Sequence, residues 1–135
     1  MDEPKIINIP TFRSDFGNLS VIDKSNILPF ELKRIFYVYG IPSGSKRGNH
    51  AHKTLKEFIW CLKGRIEVFT ISLSGVKNNF HLNDPNNGLY IPSKIWSYQI
   101  SLSPDSIYCV GCSDYYLEED YIRDYSEFKK LILDK

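Results

Sequence analysis

The sequence predicts an all-β domain that closes on a single C-terminal α-helix. Three observations carry this expectation. Short runs with alternating polarity follow one another from the N-terminus to about residue 112, each bounded by turn residues. Those turns are marked by glycine, proline, asparagine and aspartate. Only in "LEEDYIRDYSEFKKLILDK" does the period change, where Tyr121, Tyr125, Phe128 and Ile132 recur at helical spacing with acids early and lysines late.

In chain order, "KIINIP" is a first strand ending at Pro10, and "NLSVID" follows a turn over Asp15–Gly17. "ELKRIFYVYG" alternates and stops at Gly40. "EFIWCLKG" and "RIEVFTISLSG" flank Lys63–Gly64, a two-residue hairpin signal. "NFHLNDPNNG" ends in a turn cluster, and "LYIP", "IWSYQIS" and "SIYCVGC" supply three further runs. About eight short antiparallel strands fit a sandwich, a jelly roll or a barrel, and alternation alone does not separate them. The helix is expected to pack on the outside of the β-structure. With no repeat or linker, residues 1–135 form one domain, a length suited to one core.

Composition narrows the function classes. Seventeen basic and sixteen acidic residues leave a net charge of +1, which offers no global field for nucleic acid or an anionic membrane. No apolar stretch reaches transmembrane length, no secretory leader is evident, and a cytoplasmic location is expected. Cys109 and Cys112 have C-x-x-C spacing without a second pair. Strand alternation would send them to opposite faces, so with Cys61 they read as buried free thiols.

The chemistry concentrates in "RGNHAHKTLKEFIWCLKG". In a strand, residues i and i+2 share a face, so His50 and His52 point the same way. Glu57 can enter the next strand with Ile59 and Cys61 on its own face, which lets two imidazoles and a carboxylate converge. The full spacing is Gly44, five residues, His50-x-His52, four residues, Glu57, six residues, Gly64. That pattern resembles the first motif of the cupin superfamily. The resemblance implies a cupin jelly-roll barrel of short antiparallel strands carrying the C-terminal α-helix. The second cupin motif looks like "GLYIPSKIWSYQI", where Ser97 stands at the position of an expected histidine. A metal would then have only His50, His52 and Glu57 for ligands.

A closer resemblance covers nearly the whole chain. "FELKRIFYVYG", "RGNHAHKTLKEF", "GLYIPSKIWSY" and "SDYYLEEDYIRDYSEFKK" resemble the sugar 3,4-ketoisomerases, above all in the runs Arg47 to Lys53 and Ser113 to Arg123. The resemblance implies conversion of dTDP-4-keto-6-deoxyglucose to a 3-keto sugar by a homodimer, with no metal or other cofactor. A hydrogen on carbon beside a ketone is already acidified, and imidazoles titrate near neutrality, so a facing histidine pair suits its transfer. His50 and His52 are the expected shuttle. Tyr37 resembles the family's pocket tyrosine and would donate to the developing oxyanion. Arg34 and Arg47 are candidate pyrophosphate ligands, because guanidinium pairs bidentately with phosphate oxygens. Lys53, Glu57, Tyr90, Trp96 and Ser97 complete the expected substrate-binding set.

Departures from the family pattern are specific. Its early D-x-R-G is Asp15–Phe16–Gly17 here, with Arg13 the nearest arginine. Many relatives carry glutamine where Glu57 stands and histidine where Ser97 stands. Two rival readings remain open: a metal-dependent cupin of the oxygenase type using His50, His52 and Glu57, and a noncatalytic cupin that binds a sugar nucleotide. For the homodimer, the apolar run "KIINIP" is the expected strand to exchange with a partner, because exposed sheet edges must be covered.

Overall fold

The computed structural model describes residues 3–24 and 28–133, with side chains through residue 131. Its strands are β1 (Lys5–Asn8), β2 (Thr11–Ser14), β3 (Gly17–Ser20), β4 (Arg34–Val38), β5 (Lys46–His52), β6 (Glu57–Lys63), β7 (Ile66–Ile71), β8 (Lys77–Leu82), β9 (Asn87–Ile91), β10 (Trp96–Ser101), β11 (Ile107–Cys112) and β12 (Tyr121–Ile122). The helix α1 (Tyr125–Leu133) follows. Two five-stranded antiparallel sheets face each other, ordered β1-β9-β6-β11-β4 and β12-β5-β10-β7-β8, and β2-β3 forms a separate hairpin.

Alternation along each strand decides what lies between the sheets. Ile59 and Cys61 of β6, Ile66 and Val68 of β7, and Val110 and Cys112 of β11 turn inward into the main core. Phe58, Trp60, Tyr90 and Cys109 turn outward on the first sheet, where Ile9, Leu28 and Phe30 cover them. Cys109 and Cys112 therefore do fall on opposite faces, and all three cysteines are buried and free. Outside the second sheet, Ala51, Trp96 and Ile122 pack under Phe128 of the helix.

Two elements differ from the sequence expectation. Lys63–Gly64 does not close a hairpin, because β6 pairs with β9 and β11 while β7 pairs with β8 and β10. The chain crosses here from one sheet to the other. Gly64 adopts φ 77°, and a Cβ on it would lie 2.4 Å from Ser103 Oγ. The helix begins at Tyr125, and Tyr121 lies in β12, paired with His52 of β5. Asp124 stops the helix from extending further back: its Oδ1 accepts from the Ser126 N–H at 2.9 Å, an N-terminal cap. The side chain of Ile132 lies outside the described residues. The apolar strand β1 pairs with β9 from Lys5↔Tyr90 to Asn8↔Asn87.

Candidate active site

The site is built on β5, and a bulge sets its geometry. Ser97 pairs with His50 and Tyr98 with Gly48, so Asn49 is an extra residue with no opposite number. Asn49 (φ 61°) and Gly48 (φ 95°) are both left-handed. A Cβ at Gly48 would come within 3.0 Å of Tyr98 Cα, so glycine permits the strands to close here. After the bulge, His50 and His52 share one face and meet edge to face, with ring centroids 4.9 Å apart at 74°. Tyr121 of β12 closes over both, at 5.1 Å from His50 and 4.3 Å from His52.

Glu57 opens β6 opposite them. Its Oε1 lies 3.7 Å from His52 Nε2, and one donor atom each from His50, His52 and Glu57 fall within 4.8 Å of one another. Such a donor set fits a divalent transition metal as well as it fits proton transfer. A cavity of about 80 Å³, open to solvent, reaches this point, lined by Phe36, Val38, Arg47, His50, Glu57, Ile59, Gln99 and Tyr108. Tyr108 donates from its hydroxyl to Gln99 Oε1 at 3.3 Å.

Burial governs the charge states. It raises the Glu57 carboxyl to about 7, against the nearby Arg34 cation. It lowers His50 below the ordinary 6.5, assisted by Arg123. Burial lowers His52 as well, together with repulsion from His50, while Asp120 works the other way. Near neutral pH the resting site therefore holds two neutral imidazoles beside a carboxyl close to half-protonated.

Of the residues singled out from sequence, the fold brings His50, Arg47 and Glu57 to the cavity and His52 directly behind Glu57. Ser97 is buried beside His50. Arg34 sits inside rather than at the rim: its Nη2 donates to Cys112 Sγ at 3.4 Å, and its guanidinium lies 5.7 Å from the Tyr116 ring.

Four expected residues fall elsewhere. Phe36 and Val38 face the cavity, so Tyr37 between them faces out, 63% exposed and stacked on Tyr39. Tyr90 packs against Phe30 on the outer side of the first sheet, with ring centroids 6.1 Å apart. Trp96 packs against Phe128 of α1. Lys53, one residue past His52, emerges beside Glu127 and Lys130 of the helix. Two residues that sequence reasoning did not assign are central, Asp120 and Tyr121. Both lie in the Ser113–Arg123 run already singled out, where the helical period masked their turn and strand.

A two-sheeted jelly roll with a histidine pair and a carboxylate facing its interior is a cupin. The chain matches the family described as FdtA: WxcM-like, C-terminal, over residues 2–133. It is 35% identical over 130 residues to the TDP-4-oxo-6-deoxy-alpha-D-glucose-3,4-oxoisomerase of Aneurinibacillus thermoaerophilus, covering 96% of this chain and 93% of that one. Among solved structures, a 3,4-ketoisomerase from Helicobacter canadensis superposes with a TM-score of 0.92 at 33% identity, covering 98% of each chain. The TDP-fucose-3,4-ketoisomerase of Campylobacter jejuni gives 0.89 at 35% identity over 96% of each. A dTDP-4-dehydrorhamnose 3,5-epimerase from Bacillus anthracis, 18% identical with a TM-score of 0.79 over 88% of this chain and 77% of that one, shares the fold. The chain thus belongs to the FdtA, WxcM-like family of sugar 3,4-ketoisomerases.

Proposed function

We propose that this protein converts dTDP-4-keto-6-deoxyglucose to the dTDP-3-keto-6-deoxy sugar, in deoxysugar biosynthesis for surface glycans. The observation that carries this reading is the pair of neutral imidazoles, edge to face at 4.9 Å, with His50 on the cavity wall and His52 behind Glu57. A base takes the C3 proton and its electron pair enters the C3–C4 enediolate, whose charge rests on O4. O4 is protonated, O3 gives up its proton, and C4 receives one from the acid. Every step moves a proton over a few ångströms between groups that titrate near neutrality, which is the work His50 and His52 are built for.

Substrate contacts follow from depth. Arg47 lines the cavity, which supports it as the pyrophosphate ligand, since a guanidinium pairs with two phosphate oxygens. Glu57, when protonated, donates to a sugar oxygen. Arg34 faces the inner cluster and offers positive charge to the enediolate. The protein acts as a homodimer, since the free edge β4 and its neighbourhood expose Ile35, Tyr37 and Tyr39, and the β2-β3 hairpin exposes Phe12, Phe16 and Leu19. Three free thiols suit a reducing cytoplasm.

The proximity of His50, His52 and Glu57 donor atoms favours one second reading, a metal-dependent cupin. Assaying turnover of dTDP-4-keto-6-deoxyglucose after exhaustive EDTA and dipicolinate treatment separates the two. Unchanged turnover supports the proton shuttle. Loss on chelation with recovery on adding iron, zinc or manganese makes the three residues ligands and sinks the metal-free account.

A further inference from the structure

Behind the histidine pair stands a carboxylate that the shuttle itself does not require. Asp120 ends the 3-10 turn Glu118–Asp120, and both of its oxygens are engaged. Oδ1 accepts from the Thr54 N–H at 3.0 Å and from the Thr54 hydroxyl at 2.7 Å, and Oδ2 accepts from the Leu55 N–H at 3.1 Å. Its main-chain carbonyl accepts from the Lys53 N–H at 2.9 Å. These bonds seat the carboxylate on the turn that follows β5, and they hold Oδ2 3.4 Å from His52 Nδ1. The opposite nitrogen, Nε2, looks toward Glu57, a residue of the cavity wall. Among the described residues, His50 has no carboxylate within 4.0 Å, so the two imidazoles are not equivalent.

We propose that Asp120 is the positioning residue of His52: standing 3.4 Å from a buried Nδ1 that has no hydrogen-bond partner among the described residues, it draws the ring proton to that nitrogen, keeps the Nε2 lone pair turned toward Glu57 and the cavity, and stabilises the imidazolium formed whenever His52 carries a proton. A neutral imidazole has one N–H, and the nitrogen beside a fixed acceptor keeps it. The donors on Asp120 are main-chain amides and a hydroxyl, which favour its ionised form although partial burial opposes it. Asp120 remains ionised throughout: the substrate proton goes to Nε2, the electron pair stays on the sugar, and the proton later leaves from Nε2. A carboxylate that orients and steadies an imidazole without taking its proton is the logic of the hydrolase triad. This arrangement gives His52 a fixed carboxylate behind Nδ1 that His50 lacks, opposing the burial that holds His52 down at about 4. The tautomer is a property of the protein alone; the role in turnover rests on the ketoisomerase reading.

The rival explanation is that Asp120 only staples the turn 53–55. Long-range proton–nitrogen NMR correlation on the unmodified, nitrogen-15-labelled protein without substrate distinguishes the two. The Nδ1–H tautomer of His52 is expected, and an Nε2–H tautomer overturns the proposal. In the ketoisomerase assay, Asp120→Asn should lower kcat by about 10²–10⁴-fold with little change in KM. Thr54→Val, which removes one of the bonds seating the carboxylate but leaves the carboxylate and its two main-chain donors, should cost at least about tenfold less than Asp120→Asn. Equal losses in both variants would mean a staple and nothing more. The Nδ1–H tautomer in a protein that turns over no TDP-sugar would support the positioning and sink the ketoisomerase reading instead.

Discussion

His52 lies between two carboxyl groups whose environments push them apart, Asp120 toward its ion and Glu57 toward its acid. Replacing His50 or His52 with asparagine should leave the fold intact and lower turnover about 10²–10⁴-fold, the usual contribution of an acid–base group; near-normal rates in both variants would remove the shuttle. Glu57 gives a prediction in pH. Its carboxyl is raised from 4.5 to about 7, so between those values the folded chain holds a proton that the unfolded chain has released. Stability is therefore lost as pH rises through that window, in total by roughly 3 kcal/mol. His52, lowered from 6.5, works in the opposite sense and costs stability as pH falls below that value. Glu57→Gln, neutral at every pH, should gain little at pH 5 and up to about 3 kcal/mol at pH 8 by urea unfolding. Equal gains at both values would contradict the buried acid. At this scale the histidines and Glu57 were legible because one alternation rule covers all three. The same rule turns Tyr37 outward once Phe36 and Val38 face in, and Lys53 outward once His52 does, so within one chain neither lines this cavity.

Among the elements, the misread ones are those in which a local signal competed with a tertiary demand. Lys63–Gly64 carries a turn signal, yet β6 and β7 belong to opposite sheets, and a left-handed glycine serves a crossing as well as a hairpin. Gly64→Ala should cost about 1–3 kcal/mol, because its Cβ would meet Ser103 Oγ at 2.4 Å and Ser106 Cα at 2.9 Å in a backbone that disfavours side chains. A denaturation midpoint equal to the unmodified protein's would show that the crossing relaxes freely. The C-terminal segment kept its helical period from Tyr121 onward, but Tyr121 is claimed by β5 and set edge to face against two histidines. Its spacing was real; its partner lay some seventy residues upstream, beyond the reach of a local pattern.

Across the whole molecule, the sequence told the barrel and its helix from the strand rhythm, and the cupin spacing chose among barrels that rhythm could not separate. It did not tell which apolar side chains remain outside. Phe16 is fully exposed at the tip of the β2-β3 hairpin, and Tyr37 and Tyr39 lie open beside the free edge β4. A surface of that kind calls for a second copy, and light scattering at micromolar concentration should give twice the chain mass of 15.7 kDa. A monomeric mass would leave those side chains without an explanation.

The central claim, that this barrel moves protons between C3 and C4 of a keto sugar through its histidines, meets its most direct test in heavy water. Incubation with dTDP-4-keto-6-deoxyglucose in D2O, followed by proton and carbon NMR, should show the 3-keto product with deuterium at C4 and the recovered 4-keto substrate with deuterium at C3. His50→Asn and His52→Asn should slow both signals. No 3-keto product and no deuterium at C3 of the recovered substrate, from a folded and unmodified protein, would contradict the account.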